Sequence, residues 1–446
     1  MKVLRETALL GSETITIWLR TATRMVFWCA LGSTAKMLGM FTSAWIGASQ
    51  QVLAMLAFLA GEVALIAAFV MMLHSAHSEL QSPRQLRQHR TSHVPTTVFR
   101  SGTATETLVT AVGPFLVVYA TWGFVEDELR TLFSTNLVLH GINVEQWSIG
   151  FDRWRFFLLL ALVIFIVKQI LERLGERYFP NSRIALVVLM MCEAGWIFAT
   201  FVGLNHVFTT ALNWLYSRTF WVALTNGWER FLATVPPLNL PGIGSLPQAL
   251  DDFVQWIGQS FIPGAWQWAV LPMFWLALTA VVHGWRDFSV RAVLQGRTAD
   301  TLAWTERGVV AVISKDLREK YLPVLSCVRL IVHAGPFFIA AYLMLSAVLN
   351  LAHEWLPWLF QAILNIDERS WYFAVNYPIG AVADIIAYPL IFSLYLAAFD
   401  RAIADTTGMD WSARRMARAL RTGNVTATQV LGGAPAQRRP RRQAES

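Results

Sequence analysis

Ionisable residues interrupt several long apolar runs of this 446-residue sequence. Charged side chains are costly in bilayer hydrocarbon, so those found there usually pair with one another or line a polar pathway. Carboxylates can bind and release protons, and histidine titrates near neutral pH. These residue types therefore predict either a proton-linked translocation path or ion pairs that lock helices together. The candidates are Lys36, Glu62, Glu193, Arg329, His333 and Asp384.

The spacing of these residues predicts a polar centre near the middle of the membrane. Lys36 and Glu62 lie equally far from a short turn around residues 48–50, so two antiparallel helices would bring them to equal depth. Glu193 and His333 each lie ten residues into a predicted span, whereas Asp384 lies nearer the outer side. Arg329 precedes His333 by four residues and shares its helix face. We expect Lys36 to pair with Glu62, and Glu193 with Arg329 or His333; the same pairs could be purely structural.

Two Gly-Pro pairs predict breaks or kinks in helices beside this centre. Gly113-Pro114 and Gly335-Pro336 each stand inside a similar four-residue motif, and such breaks free backbone carbonyls in transporters. The match suggests that residues 105–175 and 322–405 are copies of one unit. Chance similarity between apolar helices is the alternative.

Motifs for common chemistries are missing from the sequence. We find no phosphate-binding G-x-x-x-x-G-K-[ST], no H-E-x-x-H, no C-x-x-C and no G-x-S-x-G. The three cysteines lie in apolar runs, and four histidines near residues 74–93 lack the spacing of a compact metal site. No catalytic residue, metal or cofactor is predicted, and an enzyme is the less favoured class.

Composition defines the elements that must position these residues. The chain is 55% hydrophobic and 15% charged, whereas soluble proteins carry about 25% charged residues. An all-α integral membrane protein of about eight transmembrane helices, arranged as hairpins, is predicted. The spans are placed near 25–47, 50–73, 105–125, 154–172, 183–206, 264–284, 323–350 and 379–399.

The basic residues predict the orientation of the chain. Five alternate segments hold 28 of the 36 Lys and Arg residues: 1–24, 74–104, 168–183, 285–322 and 400–446. Because cytoplasmic loops retain positive charge, both termini are expected in the cytoplasm of a bacterial-type inner membrane. The net charge of +7 is then explained by topology, and no nucleic-acid partner is predicted. We divide the chain into an amphipathic N-terminal segment (1–24), a membrane domain (25–400) and a basic tail (401–446), disordered from about 423, that could bind anionic lipids.

The segments predicted on the outer side resemble helices that lie in the membrane interface. Trp214, Trp221 and Trp228 recur every seven residues, which would place them on one helix face at headgroup level. Leu246–Phe261 is apolar at helical spacing, and residues 126–150 and 352–372 look similar. The alternative is that these helices cap the bundle or pack on a protein partner or a second copy of the chain.

Three functions fit these patterns. A secondary transporter or channel for a small or amphipathic substrate is preferred, because it uses the midplane charges and the Gly-Pro pairs. An assembly or scaffold subunit of a membrane or secretion complex would use the outer tryptophan-rich helices. A membrane-embedded lipid-modifying enzyme would need outer acids as catalytic groups, with the candidates Glu126, Asp127, Glu128, Asp251, Asp252, Asp367 and Glu368.

Overall fold

The computed structural model is almost entirely helical over the residues it describes, which are 2–47, 50–80, 104–121, 124–141, 154–178, 182–240, 244–283, 334–365 and 369–406. The α-helices are α1 (Lys2–Ile46), α2 (Gln51–Ser75), α3 (Ala104–Thr121), α4 (Phe124–His140), α5 (Trp154–Tyr178), α6 (Arg183–Tyr216), α7 (Thr219–Thr234), α8 (Leu246–Trp256), α9 (Ile262–Ala265), α10 (Leu271–Val282), α11 (Pro336–Leu364) and α12 (Arg369–Thr406).

The shorter elements connect these helices. A 3-10 turn, His77–Glu79, follows α2, and π-helical turns at Ile257–Phe261 and Trp266–Val270 join α8, α9 and α10 into one rod. Two short antiparallel strands, β1 (Asn239–Leu240) and β2 (Gly244–Ser245), form the connection between α7 and α8. The all-α class predicted from the composition is therefore confirmed.

Within the described parts of the chain, five helical stretches are long and apolar enough to cross a membrane. They are Leu53–Glu79, Val187–Tyr216, Leu246–Val282, Pro336–Leu364 and Pro378–Ile403. The other three predicted spans coincide with α1, α3 and α5, which are helical but are not among these five. The helices thus support a membrane protein and leave the number of eight crossings as a prediction.

Helix boundaries differ from the sequence expectations at several points. α1 is one helix of 45 residues that continues through the expected border between residues 24 and 25. α3 continues through Gly113 and Pro114, whereas Gly335 and Pro336 stand at the start of α11. The two matched motifs therefore have different backbone settings, and the repeat stays a prediction.

The α1–α2 hairpin is the most closely packed pair of helices. A methyl group added to Gly39 would lie 2.8 Å from both the carbonyl oxygen of Ala57 and the Cα of Gly61. A methyl group on Gly32 would lie 2.4 Å from the Cβ of Ala68. Small residues allow two helix backbones to approach this closely where no aqueous hydrophobic effect drives them together.

Aromatic rings join this hairpin to the rest of the bundle. Trp275 of α10 lies 5.4 Å from Phe115 of α3 and 5.7 Å from Phe392 of α12, measured between ring centroids. Phe69 of α2 contacts the Phe392 ring at 5.1 Å. Four helices therefore share one apolar core, and α1 packs along α2 and α12 beside it.

Polar contacts lie at both ends of the described bundle. At the end predicted to be cytoplasmic, Arg401 of α12 forms an ion pair with Glu6 of α1, and the Nδ1 atoms of His77 and His283 lie 3.0 Å apart. At the other end, His140 Nε2 lies 3.2 Å from the carbonyl oxygen of Ala44. The side of the membrane that each end faces stays a prediction.

The described residues of 204–240 and 244–270 form an arm that packs little against the bundle. No buried residue occurs in the described parts of α7, α8, α9 or the π-helical turns beside them. α6 ends at Tyr216 and α7 begins at Thr219, because the Ser217 hydroxyl donates to the Trp214 carbonyl (2.7 Å) at the turn. Trp214 is therefore on a different helix from Trp221 and Trp228, and the seven-residue period does not follow a single face.

α4 was expected among the interfacial helices, but it packs lengthwise on α1. Leu132 and Asn136 are buried on its inner face, while Glu128 and His140 contact α1 near its outer end. The amphipathic pattern of α4 thus corresponds to a helix that covers the bundle, which was the alternative for the outer segments.

Candidate functional site

A buried polar network joins the first four helices. Lys36 Nζ of α1 lies 2.5 Å from Glu128 Oε1 of α4. The hydroxyl of Tyr119 on α3 donates to Glu62 Oε2 of α2 at 3.1 Å and lies 3.3 Å from Glu128 Oε1. Only 5% of Glu62 is exposed. We call these four residues the α1–α4 network.

Helix packing explains how the network forms. The small residues between α1 and α2 bring the two backbones together, and a methyl group on Gly61 would lie 3.1 Å from the carbonyl oxygen of Lys36. Glu62 follows Gly61 directly. α3 and α4 are separated only by residues 122 and 123, which brings Tyr119 and Glu128 to the same place. The contact between α1 and α2 around Gly39 and Gly61 is called the hairpin seam. The network thus depends on the hairpin seam and on the junction between α3 and α4.

The chemistry of the network favours proton exchange. One ammonium faces two carboxylates, and like charges that share a desolvated site resist being ionised together. The Tyr119 hydroxyl has a single hydrogen, so it can donate to Glu62 or to Glu128 but not to both at once. A proton on one carboxyl would allow that group to donate back to the hydroxyl. The arrangement is electrically balanced when it holds one added proton.

A second buried ion pair lies between α5 and α6. Lys168 Nζ lies 2.6 Å from Glu193 Oε2, and both side chains are less than a tenth exposed. A methyl group on Gly113 would lie 3.0 Å from Glu193 Oε1. Gly113 therefore makes room for a carboxylate inside a continuous helix. This ion pair fastens α5 to α6.

A third polar contact joins α11 to α12. Asp384 Oδ1 lies 2.8 Å from His353 Nε2, and the Cys29 thiol donates to the Asp384 carbonyl at 3.6 Å. The ring of Tyr388, one turn beyond Asp384, lies 5.0 Å from the His353 ring and 5.1 Å from that of Phe69. This carboxylate–histidine pair thus adjoins the shared aromatic core.

These positions can be compared with the residues selected from the sequence. Lys36 and Glu62 face each other across the hairpin, but Lys36 forms an ion pair with Glu128 rather than with Glu62 as expected. Tyr119 links Glu128 to Glu62. Glu193 forms an ion pair with Lys168, and Asp384 lies against His353; the pairing of Glu193 with Arg329 or His333 stays a prediction. The two remaining candidates, Arg329 and His333, lie outside the described residues.

Four contributing residues were not selected from the sequence as intramembrane sites: Tyr119, Glu128, Lys168 and His353. Glu128 and Lys168 stand at the ends of apolar runs, so the hydropathy pattern places their charges in loops. Tyr119 counted only as an apolar residue. A pair such as Lys168 and Glu193, on consecutive long helices, could have been found by matching charges along two predicted antiparallel spans.

The outer acids are not gathered into a catalytic cluster in the described parts. Glu128 belongs to the network, whereas Asp251 of the arm accepts hydrogen bonds from Trp228 Nε1 (3.0 Å) and Gln255 (2.9 Å). Asp367 and Glu368 lie outside the described residues. Among the residues that the structure describes, no group of three or more His, Cys, Asp or Glu could hold a metal ion.

No protein family model, curated protein or solved structure matches this chain. Function must therefore be inferred from the chain's own residues.

Proposed function

We propose that this chain is a multi-pass transporter or channel of a bacterial-type inner membrane, and that the α1–α4 network binds and releases a proton as a small or amphipathic substrate moves. The chain would cross the membrane eight times with both termini in the cytoplasm. Five strongly apolar helices support the membrane location, and contacts such as Arg401 with Glu6 support the sidedness.

The observation that carries the proposal is the sharing of the Tyr119 hydroxyl between Glu62 and Glu128. Loss of the added proton would leave two carboxylates with one ammonium in a poorly solvated site. That state would favour a different position of α4 relative to α1 and α2. A proton that prefers one arrangement of helices over another can shift their populations, which is the requirement for coupling.

Proton-linked transport can be tested in liposomes that contain a pH-sensitive dye. Candidate small cations, anions and amphiphiles are added outside, and proton movement with substrate uptake is followed for the wild type. Glu62→Gln should abolish both while the folded protein still inserts, because an amide cannot exchange the proton. Glu229→Gln changes an exposed glutamate of the arm and should behave as wild type.

A second variant separates proton exchange from packing. Tyr119→Phe keeps the ring and removes the shared hydroxyl, so uptake should lose its pH dependence with little loss of folded protein. If Glu62→Gln and Tyr119→Phe transport as well as the wild type at every pH, the network is structural and the proposal fails.

The arm favours a second candidate function, a subunit that assembles with other proteins. Its described residues include large exposed apolar side chains such as Phe220, Trp256 and Trp266, each at least half exposed. Under this proposal, replacement of Trp214, Trp221 and Trp228 by Ser would release a co-purifying protein and leave the bundle folded. Recovery of the same complex from the variant would exclude this role for the tryptophans.

A further inference from the structure

A charged cleft opens where the first and last helices of the bundle meet α11. It has a volume of about 370 Å³ and lies where Arg5 and Arg401, both predicted to be cytoplasmic, meet Gly335, which the predicted span 323–350 had placed beside the midplane centre. The structure thus brings Gly335 to the end of the bundle that holds Arg5 and Arg401. Its lining includes Arg5 and Glu6 of α1, Gly335 and Phe337 at the start of α11, and Arg401 of α12. None of these residues belongs to the α1–α4 network.

The charges in the cleft favour an anion. Arg401 is 5% exposed and pairs with Glu6, while Arg5 is exposed at the rim. Among the described residues of the lining, two guanidinium groups and one carboxylate give one net positive charge. Guanidinium groups bind phosphate with paired, charge-assisted hydrogen bonds.

The backbone at the floor of the cleft adds to this preference. Gly335 has a φ of +95° and precedes Pro336 at the first position of α11. The first amide groups of a helix point away from its body, and the positive end of the helix dipole lies there. Phosphate groups bind at such helix starts in other proteins. The helix start thus reinforces the charge of the two arginines.

Apolar rings stand beside these charges. Phe337 is half exposed in the cleft lining, and Phe338 next to it is buried. A soluble phosphate would make no contact with these rings, whereas the glycerol and first acyl carbons of a phospholipid would pack against them. Basic pockets between membrane helices on the cytoplasmic side are typical sites for anionic headgroups.

We propose that this cleft binds the phosphate of an anionic phospholipid, with Arg5 and Arg401 supplying the positive charge and Phe337 the apolar contact. Bound lipid would bridge the beginning of α1, the beginning of α11 and the end of α12. Three chain segments that are distant in sequence would then be held together at the membrane surface.

The site can be tested with the full chain purified in a neutral detergent. Short-chain phosphatidylglycerol, phosphatidylcholine and glycerol phosphate are titrated separately, and binding is measured directly. Phosphatidylglycerol should bind most tightly. Arg5→Gln should weaken it about tenfold, as expected for the loss of one hydrogen bond to a charged group.

Arg20→Gln provides the matched control, because it removes the same charge from the same helix outside the cleft. It should bind phosphatidylglycerol as the wild type does. Equal binding of phosphatidylcholine, or an equal loss in Arg20→Gln, would overturn the site. If glycerol phosphate binds as tightly as phosphatidylglycerol, the ligand is a soluble phosphate and the lipid assignment is wrong.

Discussion

The α1–α2 hairpin and the arm are both helical and rich in apolar residues, yet the hairpin is tightly packed and the arm is largely exposed. In the hairpin, the backbones at Gly39 and Gly61 are in contact, and Glu62 is buried beside them. In the arm, Trp256 and Phe261 are about half exposed, and Trp228 forms a polar contact across to α8. Apolar content alone therefore does not distinguish a helix that builds the bundle from one that faces lipid or a partner. Facing small residues do distinguish them.

A substitution in the ion pair between α5 and α6 should cause the largest loss of stability. Lys168→Met leaves the Glu193 carboxylate buried without its ammonium, and loss of one partner of a buried pair costs about 3–5 kcal/mol. Thermal unfolding in detergent should show a large loss of stability. Adding Glu193→Gln should recover part of that loss, because the unpaired charge is removed; a double variant as unstable as Lys168→Met would contradict this.

The hairpin seam should be the next most sensitive. Gly39→Ala places a methyl group 2.8 Å from the backbone of α2, which cannot yield as a flexible side chain would. Overpacking typically costs about 1–3 kcal/mol, and we expect the upper part of that range. Gly11→Ala is the matched control in the same helix, since a methyl group there meets no atom within 4 Å. Equal melting temperatures for the two variants would show that the seam is not tight.

A substitution in the arm should change the free energy of unfolding of the bundle least. Trp228→Phe removes the 3.0 Å hydrogen bond to Asp251 and keeps an aromatic ring, so the bundle should unfold within about 0.5 kcal/mol of the wild type. Proteolysis of the arm should become faster, because the contact between α7 and α8 is weakened. A large fall in the melting temperature of the whole protein would mean that the arm is part of the cooperative core.

The sequence predicted some parts of the candidate site and not others. Equal distances from a turn placed Lys36 and Glu62 together, because an antiparallel hairpin with a short connection has only one register. The pair Lys168 and Glu193, on consecutive helices, could have been matched in the same way, whereas the partner of Asp384 could not. His353 lies on a helix whose rotation and depth depend on packing that a one-dimensional hydropathy pattern does not contain.

The sequence by itself determined the helical membrane class, because the shortage of charge over long apolar runs leaves no soluble alternative. The clustering of basic residues in alternate segments also predicts that both chain ends share a side, and that orientation stays a prediction. Only the tertiary structure decided that Tyr119 sits between two carboxylates, and that the start of α11 meets Arg401. Both depend on contacts among helices distant in sequence, and such contacts are set by side-chain fit rather than by composition.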